Sequence, residues 1–166
     1  SSQQPQCYHE PNVVQSIKLE PYKVNNFSLN VIPIENDISN VLANVPIEIA
    51  SNGTEFYSAE MGINSIGTMD SLSSYTVYIQ GNSEITIDIV GCLIDVDTVR
   101  YNLPPNFMTY MSYTGNLPFP AEDFFSTIAN EILIVSDDNG NYYIPQFGIN
   151  SIDTAGGMQP GKGYLI

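Results

Sequence analysis

The sequence predicts an all-β protein with short helical turns, arranged as two tandem β-sandwich modules behind an N-terminal strand. Three observations support this prediction. The phrase Gly-Ile-Asn-Ser-Ile occurs at residues 62–66 and again at 148–152, an offset of 86 residues (148 − 62). Asn-Gly pairs at 52–53 and 139–140 are flanked by alternating apolar and polar residues, which is typical of β-hairpins. Repetition at a fixed offset indicates a duplicated structural unit.

Further matches in the same order extend the repeat on both sides of this phrase. They pair Asn26-Phe27 with Asn106-Phe107, Ala43-Asn44 with Ala129-Asn130, Ile47 and Ile49 with Leu133 and Val135, Phe56-Tyr57 with Tyr142-Tyr143, and residues 74–78 with 163–166. Short alternating strands separated by regular turn signals favour a β-sandwich for each copy.

Each copy predicts the same order of elements: an opening strand, a short helix, a hairpin, the Gly-Ile-Asn-Ser-Ile bend and a tyrosine-bearing strand. The helical turns carry apolar residues at Ile38, Val41 and Leu42, and at Phe124, Phe125 and Ile128. Pro120 stands where the second helix begins, a position that tolerates proline. The bend is predicted to be structural, with its isoleucines facing the core, and a ligand-binding loop is the alternative.

The two copies differ after the tyrosine-bearing strand. Copy one continues into an alternating segment in which Ile85, Ile87 and Ile89 share one face, as expected of a paired strand. In copy two the given sequence stops at Ile166, with no counterpart of that segment. We therefore expect copy two to have an unpaired sheet edge and an apolar groove.

Residues 1–25 match neither copy, and they contain an alternating segment bracketed by Pro11 and Pro21. We expect this segment to be a spare strand donated to a neighbouring subunit, through Val13, Val14, Ile17, Leu19, Tyr22 and Val24. A head-to-tail exchange of this kind does not close, so it generates a filament. The predicted organisation is a donor segment at 1–25, modules at 26–91 and 101–166, and a connecting segment at 92–100.

Charge and composition exclude several classes of function. The chain has 18 acidic and four basic residues, a net charge of −14, which repels nucleic acid. No apolar run approaches the roughly 20 residues of a membrane-spanning helix, so no membrane insertion is expected. The low lysine content and the absence of an initiator methionine predict a processed protein outside the cell or at the bacterial cell surface.

Signals for catalysis and for metal binding are sparse. His9 is the single histidine, and no nucleophile motif accompanies it, so we expect no enzyme activity, no catalytic residue and no cofactor. Hydrolysis by carboxylates alone is a distant alternative. The acidic stretches at 95–97 and 137–141 could supply calcium ligands, but turn chemistry is the favoured interpretation.

Two further pairs of residues predict covalent modification. Cys7 and Cys92 are expected to form a disulfide in an exported protein, either between subunits or within one chain. Asn26 and Asn52 each begin an Asn-x-Ser/Thr triplet and are candidate glycan acceptors.

The segment from Asn106 to Tyr164 carries Asp-Asn-Gly-Asn-Tyr-Tyr-Ile-Pro-Gln-Phe-Gly-Ile-Asn-Ser-Ile and then Met-Gln-Pro-Gly-Lys-Gly-Tyr. It resembles a module of secreted and surface proteins of environmental bacteria, especially of the Bacteroidetes type. Copy one departs from it, since Met-Asp-Ser-Leu-Ser-Ser-Tyr replaces the Gln-Pro-Gly-Lys-Gly-Tyr turn. A tandem pair behind an N-terminal strand is similar to the subunits of donor-strand-linked extracellular filaments of freshwater bacteria.

This resemblance implies two immunoglobulin-like domains joined by a strand, in a pilus-like helical assembly that is a homopolymer. Its subunit would be a structural protein that inserts its N-terminal strand into its neighbour. The alternative is an adhesive or carbohydrate-binding β-sandwich module of a secreted surface protein, with surface glycans as partners.

Overall fold

The computed structural model describes residues 13–166 and confirms an all-β fold with short helices. The strands are β1 Val13–Leu19, β2 Val24–Ser28, β3 Val31–Pro33, β4 Ile47–Ser51, β5 Phe56–Ser58, β6 Ile63–Asn64, β7 Ser74–Ile79, β8 Ile85–Leu93, β9 Tyr110–Ser112, β10 Val135–Ser136, β11 Tyr142–Ile144, β12 Ile149–Asn150 and β13 Gly163–Leu165. The α-helices are α1 Ile38–Val41, α2 Ala121–Phe124 and α3 Ser151–Thr154, and 3-10 turns occupy Val96–Thr98 and Pro145–Phe147.

The strands form three antiparallel sheets, with orders β1-β8-β3, β2-β7-β4-β5-β6 and β12-β11-β10-β13-β9. The first two sheets lie in residues 13–94, the N-terminal half, and both contribute side chains to one apolar core. The third sheet lies in residues 95–166, the C-terminal half, which has a separate core. The N-terminal half is thus a two-layer sandwich, whereas the described C-terminal half has a single sheet covered by helices and loops.

The two five-stranded sheets show the duplication directly in their registers. Tyr57 pairs with Asn64, and Tyr143 pairs with Asn150, at the offset of 86 read from the sequence. The matched tyrosine-bearing strands, β7 and β13, occupy the same place in the two sheet orders. The prediction that residues 74–78 and 163–166 are equivalent is therefore confirmed.

The strand registers show that two of the residue equivalences predicted from the sequence, Ile47 with Leu133 and Ile49 with Val135, are wrong. Val135 pairs with Tyr143 as Ala50 pairs with Tyr57, so Val135 is equivalent to Ala50 and not to Ile49. The cause is the hairpin loop, which is one residue longer in copy two (137–141) than in copy one (52–55). In the same way Leu133, 70% exposed, is not the counterpart of the buried Ile47.

The Asn-Phe match also fails. Phe27 pairs with Tyr75 in β7, and the residue that pairs with Tyr164 in β13 is Met111. Phe27 and Met111 are both buried, whereas Phe107 is 75% exposed and precedes strand β9. The shared Asn-Phe pair therefore does not mark equivalent positions, whereas the buried residues of the paired strands do.

Tyr75 and Tyr164 are equivalent core residues with the same hydrogen bond. The hydroxyl oxygen of Tyr75 accepts the backbone N–H of Asp70 at 2.7 Å, and that of Tyr164 accepts the N–H of Gln159 at 2.7 Å. Burial raises the pKa of both hydroxyls well above the ordinary value, and the charge of Asp70 contributes at Tyr75. Each tyrosine therefore holds a turn against the sheet as a neutral group.

We expect the free energy of unfolding to fall as the pH rises above about 10, the pKa of tyrosine in the unfolded chain. Because the folded pKa is raised, the stability from the neutral hydroxyls is complete below that pH and is lost as the pH approaches the folded pKa. The loss is about 1.4 kcal/mol per pH unit for each tyrosine. Urea unfolding across this range, with tyrosinate absorbance recorded in parallel, measures it.

Tyrosinate absorbance equal to that of the unfolded chain while the protein is still folded would contradict the prediction.

Candidate strand-exchange site

The predicted donor segment is folded into its own half of the chain. Strand β1 pairs antiparallel with β8 over seven residues, from Val13 opposite Gly91 to Leu19 opposite Ile85. Leu19 is fully buried and Ile17 is 6% exposed, both in the N-terminal core. The expectation that this segment has no place in its own module is therefore wrong, because the free edge of β8 accepts it.

The six predicted donor residues fall in three elements. Val13, Val14, Ile17 and Leu19 belong to β1, while Val24 begins β2 and pairs with Tyr78. Tyr22 lies in the turn between these strands, where its φ of +62° is a left-handed conformation that is uncommon for a residue with a side chain. The boundary predicted at residues 25 and 26 consequently cuts through β2.

Strand β1 is an edge strand, with β8 on one side and no strand of the described chain on the other. On its solvent face, Ser16 donates a hydrogen bond to Asp88 at 2.6 Å, and Lys18 forms an ion pair with Glu84 at 3.0 Å. Both contacts are exposed, so they stabilise the pairing by little. Burial of the inward side chains is what holds β1.

The turn after β1 is held by Asn25, which is buried. Its side-chain oxygen accepts the N–H of Glu20 at 2.8 Å, and its amide donates to the carbonyl oxygens of Glu20 and Lys23. This closed turn is the pivot about which β1 would have to swing to leave its own sheet.

Two segments of the C-terminal half, neither of them a strand, have the sequence positions of the strands that flank β8. Leu103 precedes Met111 by eight residues, as Leu19 precedes Phe27 (111 − 103 = 27 − 19), so residues 101–103 correspond to the end of β1. Residues 113–117 follow β9 directly, as β3 follows β2. In the N-terminal half β8 lies between β1 and β3, and among residues 95–166 no strand holds the equivalent position.

Side chains beneath that position are less covered in the C-terminal half. Ile17 and Leu19 are buried in the N-terminal half, whereas their counterparts Tyr101 and Leu103 are only partly buried at the margin of the second core. In the same way Val45 and Val77 are buried, whereas their counterparts Ile128 and Ile166 are only partly buried. The difference matches the lack of a strand equivalent to β8 within residues 95–166.

Aromatic rings occupy part of this face. The ring centroid of Phe124 lies 6.1 Å from that of Tyr101 and 5.7 Å from that of Tyr113. The Tyr101 hydroxyl lies 3.2 Å from the Thr114 hydroxyl and so connects the two flanking segments through side chains. A strand inserted here would displace this contact and cover the rings. We name the position between residues 101–103 and 113–117 the strand gap.

The two halves meet through equivalent residues, so their junction has local two-fold symmetry. The Ser28 N–H donates to the Gly161 carbonyl at 2.9 Å, and the Ser112 N–H donates to the Leu72 carbonyl at 3.2 Å. Ser28 and Ser112 are equivalent by their pairing in the two sheets, and both are fully buried. This symmetry could not be read from the matched sequence phrases.

Ser74 and Gly163 are also equivalent, and they face each other across this junction. A Cβ atom at Gly163 would lie 2.4 Å from the Ser74 Cβ, so only one of the two positions has room for a side chain. The buried carboxylate of Asp138 adds to the junction by accepting the Asn26 N–H at 2.9 Å and pairing with Lys162 at 3.2 Å.

The Gly-Ile-Asn-Ser-Ile segments form structural bends, as predicted. Gly62 and Gly148 have φ of +65° and +63°, a conformation that glycine adopts without steric cost. In each bend the serine hydroxyl accepts the N–H and donates to the carbonyl of the aromatic residue that begins the neighbouring strand, at Ser65 with Phe56 and Ser151 with Tyr142.

The isoleucines of these bends do not both face the core. Ile66 and Ile152 are buried, whereas Ile63 and Ile149 are 44% and 43% exposed on the outer edge strands. The prediction was wrong for the first isoleucine of each phrase because it lies in β6 or β12, whose side chains are on the solvent side of the sheet.

The acidic stretches are used in turns. Asp95 accepts the N–H of Asp97 at the start of a 3-10 turn. Asp137 accepts the N–H groups of Asn139 and Asn141 in the hairpin loop. Within residues 13–166 no group of three or more potential ligand side chains could hold a metal ion.

The two candidate glycan acceptors both use their side chains in hydrogen bonds within the chain. Asn52 lies in the hairpin turn, where its side-chain oxygen accepts the N–H groups of Thr54 and Glu55, and Asn26 accepts a hydrogen bond from Thr76. Cys92, in β8, is disulfide-bonded. Cys7, the other cysteine of the sequence, and His9 lie outside the described residues, so the choice between intersubunit and intrachain bridges stays a prediction.

Comparison with models of known protein families finds no match. Comparisons with curated proteins and with solved structures also find none. No helix between residues 13 and 166 has the length and apolar character needed to cross a membrane.

Proposed function

We propose that the chain is a structural subunit of an extracellular, pilus-like filament, in which the N-terminal strand of one copy fills the strand gap of the next. The observation that supports this most is that no strand among residues 95–166 has the place that β8 has between β1 and β3 in the N-terminal half. Under this proposal both halves are immunoglobulin-like domains, and the C-terminal one is completed by its neighbour.

Strand β1 has the properties that the gap requires. Its inward side chains alternate, with Ile17 and Leu19 on the buried face and Ser16 and Lys18 on the solvent face. As an edge strand it pairs with β8 alone, whereas in the gap it would pair on both sides. Each additional hydrogen bond contributes about 0.5–1.5 kcal/mol, and the half-covered side chains of the gap become buried.

Polymerisation then requires β1 to leave its own sheet. The single chain is a closed form, and opening at the turn held by Asn25 precedes donation. Because the donor leaves from the N-terminal half and the acceptor lies in the C-terminal half, each contact is head-to-tail and the chain of contacts stays open.

The experiment is electron microscopy of the whole chain with and without a synthetic peptide of residues 10–25. We expect filaments from the protein alone and shorter filaments with the peptide, which fills the gap but has no gap of its own. The control is the same peptide with Ile17→Asp and Leu19→Asp, which should leave filament length unchanged. Discrete monomers under all assembly conditions, or equal shortening by both peptides, would refute the proposal.

A further inference from the structure

A cleft of about 660 Å³ lies between the two halves and runs along the outer edge of β1. Its walls come from β1 and β2 on one side and from the loops at Asn116, Asn139 and Lys162 on the other. Clefts of this size at the boundary between two structural units are the usual setting of small-ligand sites. Its lining combines charged and amide side chains with apolar ones such as Val13, Val14 and Leu93.

Cationic side chains are concentrated at this cleft. Lys18, Lys23 and Lys162 line it, and the fourth basic residue of the chain, Arg100, does not. Glu20 is the one acidic residue among the described residues of the lining. On a chain of net charge −14, an anionic group is repelled by most of the surface and attracted here.

Two of these lysines are available for a ligand. Lys18 pairs with Glu84, whereas Lys23 pairs with Glu20 and also donates a hydrogen bond to the side-chain oxygen of Asn139 at 2.9 Å. The acidic side chains of the two ion pairs are 46% and 54% exposed. Such exposed pairs are weak, so a ligand carboxylate can compete with them. Lys162 is different, because its partner Asp138 is 2% exposed and the pair belongs to the junction between the halves.

Amide groups supply the neutral hydrogen-bonding capacity. Asn30, Asn116 and Asn139 all line the cleft. Amide side chains can both donate and accept hydrogen bonds, which suits a ligand that carries several hydroxyl groups.

We propose that this cleft binds an acidic oligosaccharide of the uronic acid type. Its carboxylate lies against Lys18 and Lys23, and its hydroxyl groups bond to the asparagine side chains. The site belongs to the closed form of the single chain, because β1 forms one wall of the cleft and supplies Lys18. Release of β1 in the filament proposal would open this wall.

The test is titration calorimetry of the whole chain with a hexamer of galacturonic acid, and with a neutral galactose hexamer of matched length. We expect the acidic hexamer to bind and the neutral one to bind much more weakly. K18Q and K23Q should each raise the Kd about tenfold, the equivalent of one charge-assisted hydrogen bond. R100Q removes the same charge outside the cleft and should leave the Kd unchanged.

Equal binding of the two hexamers, equal effects of R100Q and K18Q, or no heat of binding from the acidic hexamer would overturn the proposal. Thermal unfolding of each variant shows whether a changed Kd comes from a changed fold. Binding is measured on monomeric protein, in which β1 is still paired with β8, and filament assembly is scored in separate samples, so each proposal is tested by its own result.

Discussion

The double variant S16C/D88C is expected to form no filaments while oxidised and to regain growth when reduced. Ser16 and Asp88 face each other across β1 and β8, and their side chains are already in hydrogen-bond contact at 2.6 Å. A disulfide there holds β1 on its own β8, so the strand cannot reach another copy. The effect on assembly is all-or-none, which makes it the largest one expected.

The experiment is made in a background that lacks both native cysteines, so that the engineered pair has no competing partner. Filament length by electron microscopy and subunit size on non-reducing gels are the readouts. S16C and D88C alone are the matched controls and should polymerise. Normal filaments from the oxidised, monomeric double variant would show that release of β1 is not required.

A mixture of the two single variants adds a second readout. If β1 pairs with the β8 of a neighbour, oxidation after assembly links the two variants to each other. If β1 enters the strand gap, residue 16 is no longer opposite residue 88 and no such link forms. The presence or absence of this link shows whether β1 has paired with the β8 of a neighbour or entered its strand gap, even if filaments form either way.

Gly163→Ala is expected to lower the free energy of unfolding by about 1–3 kcal/mol, the usual cost of overpacking a filled site. The new Cβ atom would lie 2.4 Å from the Cβ of Ser74 and 2.7 Å from its hydroxyl oxygen, so the junction between the halves must open. Urea unfolding of the single variant measures this loss.

Adding Ser74→Gly should recover most of the lost stability, because it removes the atoms that clash and a buried hydroxyl that has no partner in the described chain. Ser74→Gly alone supplies the fourth corner of the double-mutant cycle, which isolates the coupling between the two positions. If the changes in the free energy of unfolding from Gly163→Ala and Ser74→Gly simply add in the double variant, the direct contact between these residues is contradicted.

Several local features were predictable because neighbouring residues decide them. The Asn-Gly hairpins, the left-handed glycines at 62 and 148 and the start of α2 after Pro120 depend on backbone preferences of single residues. The equivalence of Tyr75 and Tyr164 was also readable, since each follows a turn by a fixed spacing. Short-range rules are enough for such elements.

The errors come from long-range pairing. Alternation in residues 13–24 predicts a strand, but the choice between its own β8 and another copy depends on where the free edge of β8 lies. Phe107 looked like a core residue by analogy with Phe27, yet it is exposed because the paired strand begins three residues later, at Tyr110. Periodicity assigns a face to each side chain and says nothing of which strand covers that face.

By itself, the sequence determined that the chain is duplicated, all-β and strongly acidic, because these follow from repetition, period-two patterning and charge counts. The tertiary structure alone decided that β1 is self-paired, that Ser74 meets Gly163 at a local two-fold, and that three lysines converge on one cleft. Each of these joins residues from distant parts of the chain or from both halves. Such proximity is set by how sheets pack, and no local pattern encodes it.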